Sequence, residues 1–228
     1  MSTTMQNNNH SSSDTIEERV LRFVHEHARQ GDPSSVIEAM DRFGKGVEWV
    51  MFVGDEKGNL VDEALRQAKP KVALELGAYC GYSAVRFGSL ARQLTPGAKY
   101  YSFEPNELRH RVSSEVVRFA GLVDTVEIIN GTFDGAIDDF LATHGEITRV
   151  DFVFIDHLKS RYVPDLRLLE DKRLLAKGSV VVGDNIIMPG APEYWSYVSE
   201  NERYNSRLIM SHVEYSKQED AVAISICN

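Results

Sequence analysis

Several short segments carry residues that could do chemistry together. Glu75-Leu76-Gly77-Ala78-Tyr79-Cys80-Gly81-Tyr82-Ser83 reads as a glycine-bearing turn with an acid two residues ahead of its first glycine. Glycines in such a turn let the backbone approach a ligand closely, and a helix N-terminus behind it favours anionic or hydrogen-bonding groups. The spacing is G-x-x-x-G, not the G-x-G-x-x-G of dinucleotide enzymes, which counts against a nicotinamide oxidoreductase. An acid at Glu75 suits a ligand with a cationic amine better than a pyrophosphate. A plain structural turn is the competing explanation. Glu104, 27 residues after Gly77, could accept both hydroxyls of a ribose. Gly131-Thr132-Phe133-Asp134 offers a ring and an acceptor for an adenine, or equally a helix start capped by Thr132.

Two further segments, Asp156-His157-Leu158-Lys159 and Asp184-Asn185, place two carboxylates and an amide at neighbouring strand ends. Oxygen ligands of this kind suit a hard cation, with Mg²⁺ the default. A lone strand-end Asp is usually a helix cap; the pair with Asn185 is harder to explain that way. A divalent ion beside Lys159 would disfavour the ammonium form and suit it to general-base work; a solvated loop lysine is the alternative.

The elements that must position these residues follow from periodicity. Thr15 with Glu18 forms a capping box, and Ile16, Val20, Phe23 and Val24 recur at helical spacing. Asp32-Pro33 starts a second helix, and a third follows Gly54-Asp55 to about Ala68. Apolar strands at Val72–Leu76, Tyr100–Glu104, Val126–Asn130, Asp151–Asp156 and Ser179–Gly183 then alternate with helices at Ser83–Gln93, Glu107–Ala120, Gly135–Thr143 and Pro164–Leu175. That order implies a parallel sheet covered on both faces. Asn205–Glu214 and Ala221–Cys227 read as two more strands with no helix between them, a hairpin at one sheet edge.

The chain of 228 residues fits one domain, 15–228, behind a polar tail, 1–14, expected to be disordered. Its 25 Lys+Arg against 34 Asp+Glu, a net charge of −9, argue against nucleic acid as a partner. Two cysteines, Cys80 and Cys227, are too few for a disulfide framework or a cysteine-rich zinc site. No apolar run approaches the roughly 18 residues of a membrane span, and no signal-peptide pattern opens the chain. A soluble, cytoplasmic monomer with a small-molecule substrate is the expectation.

These residues, with Glu48-Trp49, Phe119-Ala120-Gly121-Leu122, Arg161-Tyr162, Pro189-Gly190 and Glu214-Tyr215 in order, resemble the catechol O-methyltransferase family from about Glu18 to Glu214. The resemblance implies a single-domain, Rossmann-like class I methyltransferase. Its sheet would have seven strands, mostly parallel with one antiparallel edge strand, and helices on both faces. It further implies S-adenosylmethionine and Mg²⁺ as cofactors. Glu104 would hold the ribose; Met51, Val53, Glu75, Gly77, Tyr79 and Ser83 would surround the methionine end; Phe133, Asp134, Asp156 and His157 would complete the cofactor pocket. Asp156, Asp184 and Asn185 would bind Mg²⁺, and Lys159 would take a proton from one catechol hydroxyl. Glu214 would hydrogen-bond the other hydroxyl, and Trp49, Leu158, Lys159, Asn185 and Pro189 would line the substrate slot. Three residues depart from the family pattern: Leu158 replaces a usual tryptophan, Asp134 a glutamine, and Phe52 a commoner polar residue. The departures bear on substrate range, leaving larger vicinal diphenols such as caffeoyl esters or flavonoids as an alternative. A cofactor-binding relic without turnover would lack the metal and base residues, all of which are present.

Overall fold

The computed structural model describes residues 14–228. Apart from Asp14, the polar tail lies outside the described residues. Asp14 pairs its carboxylate with Arg22 at 2.5 Å. Three helices lead the chain. α1 (Ile16–His27) opens on the Thr15–Glu18 capping box, and α2 (Pro33–Gly46) on Asp32, which accepts from the Ser35 amide at 3.1 Å. α3 (Gly54–Ala68) follows, and its buried stripe includes Lys57, Val61, Ala64 and Leu65.

The alternation expected from periodicity is present: β1 (Val72–Leu76), α4 (Tyr82–Leu94), β2 (Lys99–Glu104), α5 (Glu107–Phe119), β3 (Val126–Asn130), α6 (Phe133–Thr143), β4 (Phe152–Ile155), α7 (Tyr162–Asp171) and β5 (Val180–Gly183). After β5 come α8 (Pro192–Glu200), β6 (Tyr204–His212) and β7 (Glu219–Cys227). The seven strands lie in the order β3-β2-β1-β4-β5-β7-β6, with β7 antiparallel to both neighbours and seated one place in from the edge strand β6.

Side chains alternate across the strands with a period of two, so the sheet buries two cores. Ala73, Tyr100, Phe154 and Val182 face α3, α4 and α5. Leu74, Phe103, Ile155 and Val181 face α6, α7 and α8. The strand order reverses between β1 and β4, and a ligand crevice opens outside the carboxyl ends of strands at such a point. Among the described residues, no helix is long and apolar enough to cross a membrane.

The structure adds one element and corrects two local expectations. α8 fills the stretch between β5 and β6, to which the periodicity assigns no element, while no helix separates β6 from β7, as expected; its nine residues bury only Tyr194 and Val198 and no side chain caps its start. α7 ends at Asp171 rather than Leu175, because Arg173 turns left-handed (φ 57°) and sends Leu174 under the sheet, where its carbonyl accepts from Val150 at 2.8 Å. β6 stops at His212, so Glu214 sits in the turn before β7 instead of in a strand.

Candidate active site

The turn after β1 is built by close approach. Gly77 (φ 107°) has no room for a Cβ, which would overlap the Asp156 carbonyl oxygen at the end of β4. The first glycine thus brings the turn after β1 against the segment that carries Asp156. Tyr79 is also left-handed (φ 48°); its amide donates to Glu104 Oε2 at 2.9 Å, and Arg109 stacks over its ring at 4.9 Å. Glu104 Oε1 accepts from the Asn106 amide at 3.0 Å. Two backbone donors fix this carboxylate at the tip of β2 and leave lone pairs for further hydroxyls.

Glu75 is fully buried in β1. Ser83 donates to its Oε1, while Oε2 has no partner among the described residues, nor do the neighbouring Tyr100 and Ser102 hydroxyls. Burial pushes its pKa up to about 8 against the pull of Ser83. A buried acid with one free oxygen is a receptor for a cationic donor.

Beyond the end of β4, His157 Nε2 lies 2.7 Å from Asp165 Oδ2, and Arg161 bridges Asp165 (2.6 Å) to Asp134 (2.7 Å). The Asp165 partner assigns the proton to Nε2. His157 Nδ1 is then a buried acceptor, and it has no partner among the described residues. Asp134 therefore spends one carboxylate oxygen on Arg161, a partner that sequence reasoning had not given it. Phe133 is buried, edge-on to Phe103 at 5.1 Å, so it backs the pocket rather than standing free.

The ends of β4 and β5 carry the remaining chemistry. Lys159 Nζ donates to Asp156 Oδ1 (3.3 Å) and Asn185 Oδ1 (2.9 Å), and also to the Tyr162 hydroxyl. Asp184 Oδ1 accepts from the Asn185 amide at 2.7 Å and lies 3.0 Å from Lys57 Nζ. Burial pushes the Asp184 carboxyl up, with the Lys57 ammonium opposing. Glu214, raised by burial, lies 3.7 Å from the same ammonium. Among the described residues no group of three or more acidic, histidine or cysteine side chains is placed to hold a metal ion; the expected set has only two acids and an amide. Its donors nonetheless fit a hard cation, since the Lys159 ammonium already draws oxygens of Asp156 and Asn185 onto one point.

Sequence reasoning missed Lys57 and Asp220. Lys57 is wholly buried, 2.9 Å from Asp220 and 3.0 Å from Asp184. Burial opposes its charge, yet the surrounding Asp184, Asp156 and Asp220 carboxylates hold it protonated well above the ordinary lysine range. A lysine on the buried stripe of α3 was the available signal. The slot walls are open: Trp49 is 56% exposed, Leu158 68%, Met51 46%, and Pro189 is also exposed. Val53 is buried beside them. Phe52 is buried against Tyr82, rings 5.2 Å apart, so it packs the core instead of facing the slot.

The strand order, the glycine turn and the acid at the tip of β2, taken with the relatives that follow, are those of an S-adenosylmethionine-dependent O-methyltransferase. A family profile described as a methyltransferase domain matches residues 74–186. The chain is 44% identical to bovine (Bos taurus) catechol O-methyltransferase over 206 residues, 90% of this chain and 74% of that protein. It is 42% identical to the zebrafish (Danio rerio) catechol O-methyltransferase B over 93% of this chain and 79% of that one. The chain belongs to the catechol O-methyltransferase family. Solved structures agree in fold: TomG, an O-methyltransferase of Streptomyces achromogenes, superposes with TM-score 0.69 at 17% identity, covering 94% of this chain and 100% of that one. A Bacillus cereus O-methyltransferase superposes with TM-score 0.65 at 20% identity, covering 92% and 91%.

Proposed function

We propose that this enzyme transfers the methyl group of S-adenosylmethionine to one hydroxyl of a catechol in a Mg²⁺-dependent reaction. The observation that carries the reading is the convergence of Asp156 and Asn185 oxygens on Lys159 Nζ, with Asp184 adjacent. S-adenosylmethionine would supply the electrophilic methyl group, and Mg²⁺, which Asp156, Asp184 and Asn185 would hold, would make a vicinal hydroxyl more acidic. Glu104 would accept from the ribose hydroxyls, Glu75 Oε2 would take the methionine amine, and His157 Nδ1 would accept from the adenine. Met51, Val53, Gly77, Tyr79, Ser83, Phe133 and Asp134 complete that pocket.

Lys159 Nζ, once it has released its own proton, would take that of the reacting hydroxyl, and the oxygen would bond the sulfonium methyl in line as the S–CH₃ bond breaks and neutral S-adenosylhomocysteine leaves. Tyr162 and Asn185 keep Nζ at the ends of β4 and β5, where that proton must be received. Glu214 hydrogen-bonds the hydroxyl that is not methylated, and Trp49, Leu158 and Pro189 wall the ring. A second reading, the same reaction on larger vicinal diphenols, is favoured by the exposure of Leu158, which leaves one side of the slot open. Methyl transfer from labelled S-adenosylmethionine to a panel of vicinal diphenols and monophenols, with Mg²⁺ and after chelation, tests both. Turnover that ignores chelation, or that treats monophenols and diphenols alike, refutes the metal-dependent reading.

A further inference from the structure

One buried carboxylate frames the β5 end of the site without facing the reacting atoms. Asp220, in β7, is 0% exposed. Its Oδ2 accepts from Lys57 Nζ at 2.9 Å and from Asn185 Nδ2 at 3.0 Å. Its Oδ1 accepts from the Ile187 amide at 3.1 Å and the Met188 amide at 3.0 Å. Four donors use the four acceptor positions of an ionised carboxylate, so Asp220 has nothing left to offer a ligand.

The effect falls on Asn185. A carboxamide has a donor end and an acceptor end that a half-turn exchanges, and a hard cation takes only the oxygen. Asp220 can only accept, so Nδ2 must face it, and Oδ1 is left toward Asp156 and Lys159, 2.9 Å from Nζ. In the flipped form two oxygens would meet at Asp220, and the amide donors would meet the Lys159 ammonium. Both contacts are repulsive. The same carboxylate holds the backbone of the turn Ile186–Gly190, which carries Pro189.

We propose that Asp220 is a positioning residue for the cation site: it sets the Asn185 carboxamide with its oxygen inward and pins the turn bearing Pro189. The proposal rests on the Mg²⁺ reading above and names what orients one of its ligands. The competing role is purely structural, in which Asp220 serves only to neutralise buried Lys57.

Mn²⁺ binding to the full chain without cofactor or substrate, followed by electron paramagnetic resonance with Mg²⁺ competition, separates these. Asp220→Asn is isosteric but offers Asn185 a donor, freeing it to turn its oxygen away; Mn²⁺ should bind about 10–100-fold more weakly. Asp220→Glu keeps the charge beside Lys57 but displaces the carboxylate, and should also weaken binding. In the swap Asn185→Asp with Asp220→Asn, net charge is unchanged, residue 185 presents an oxygen whichever way it turns, and it accepts from residue 220. Affinity should recover to within about threefold of wild type, although Lys57 still lacks its charged partner. Wild-type protein with no saturable Mn²⁺ binding, and no change in Asp184→Ala, would overturn the metal reading itself. Wild-type binding that persists within about twofold in Asp220→Asn or Asp220→Glu, or a swap no tighter than Asp220→Asn alone, would overturn the positioning role.

Discussion

Replacing Glu75 by glutamine should raise stability and weaken cofactor binding at once. The carboxyl is fully buried, and its pKa is pushed from 4.5 up to about 8. An acid whose pKa is raised by folding holds its proton in the native state after the unfolded chain has released it. Native protein therefore binds more protons between these values, and stability falls as pH rises from about 4.5 to 8. At about 1.36 kcal/mol per pKa unit, the cost is about 3 kcal/mol at pH 7 and about 5 kcal/mol above pH 8. Glutamine does not ionise, keeps an oxygen for the Ser83 donor, and can give an N–H to the unpartnered Tyr100 or Ser102 hydroxyl. Without cofactor, Glu75→Gln should therefore melt about 10–20 °C above wild type at pH 8.5 for a chain of this size, and the gap should close toward pH 5. Binding of S-adenosylmethionine should move the other way, because its amine loses an anionic partner. Differential scanning calorimetry across pH, beside titration calorimetry with the cofactor, reads both. A variant that melts at or below wild type at pH 8.5, or whose gap is the same at pH 5, refutes the reasoning.

Asp184→Ala should abolish turnover and leave S-adenosylmethionine affinity largely intact, since Glu75 and Glu104 stand on other strands; calorimetry showing cofactor binding lost as fully as in Glu104→Ala would reassign Asp184. Lys159→Ala should lower kcat by on the order of 10²–10⁴ with a smaller change in cofactor affinity, and a variant keeping most of the wild-type rate would remove Lys159 as the base. Leu158→Trp would add roughly 200 Å² of flat ring to an open wall, so the meta-to-para product ratio from an asymmetric catechol should sharpen and KM for bulky diphenols should rise. Chromatographic ratios that do not move would transfer the orienting role to Trp49 or Pro189.

The core of the sheet was legible because β1 to β5 are short apolar runs bounded by glycine and acid, and because helix starts such as Thr15 and Asp32 carry side-chain caps. α8 lacked such a cap and a broad apolar stripe, so tertiary packing of Tyr194 and Val198 made it visible only in three dimensions. Within the site, Asp156 with Lys159 and Asp184 with Asn185 declared themselves because each pair sits together just after an apolar strand. Asp220 and Lys57 did not, since 163 residues separate them and nothing local marks either as a partner of the other. The Arg161 partner of Asp134 was hidden for the same reason, because a surface arginine 27 residues away carries no pairing signal of its own.

The placement of β7 has a consequence for the order in which the enzyme comes into being. β7 is the last strand along the chain, yet it lies inside the sheet, between β5 and β6. A nascent chain that has emerged only as far as Asn185 already holds the turn after β1 and Asp156, Asp184 and Asn185, but the β5 edge is bare and Lys57 is without Asp220. Joining α3 to β7 closes a loop of more than a hundred residues, and the entropy of that closure is met before its contacts can form. The turn after β1 should therefore be complete earlier during synthesis and refolding than the proposed cation site, whose Asn185 lacks its Asp220 partner until β7 has docked.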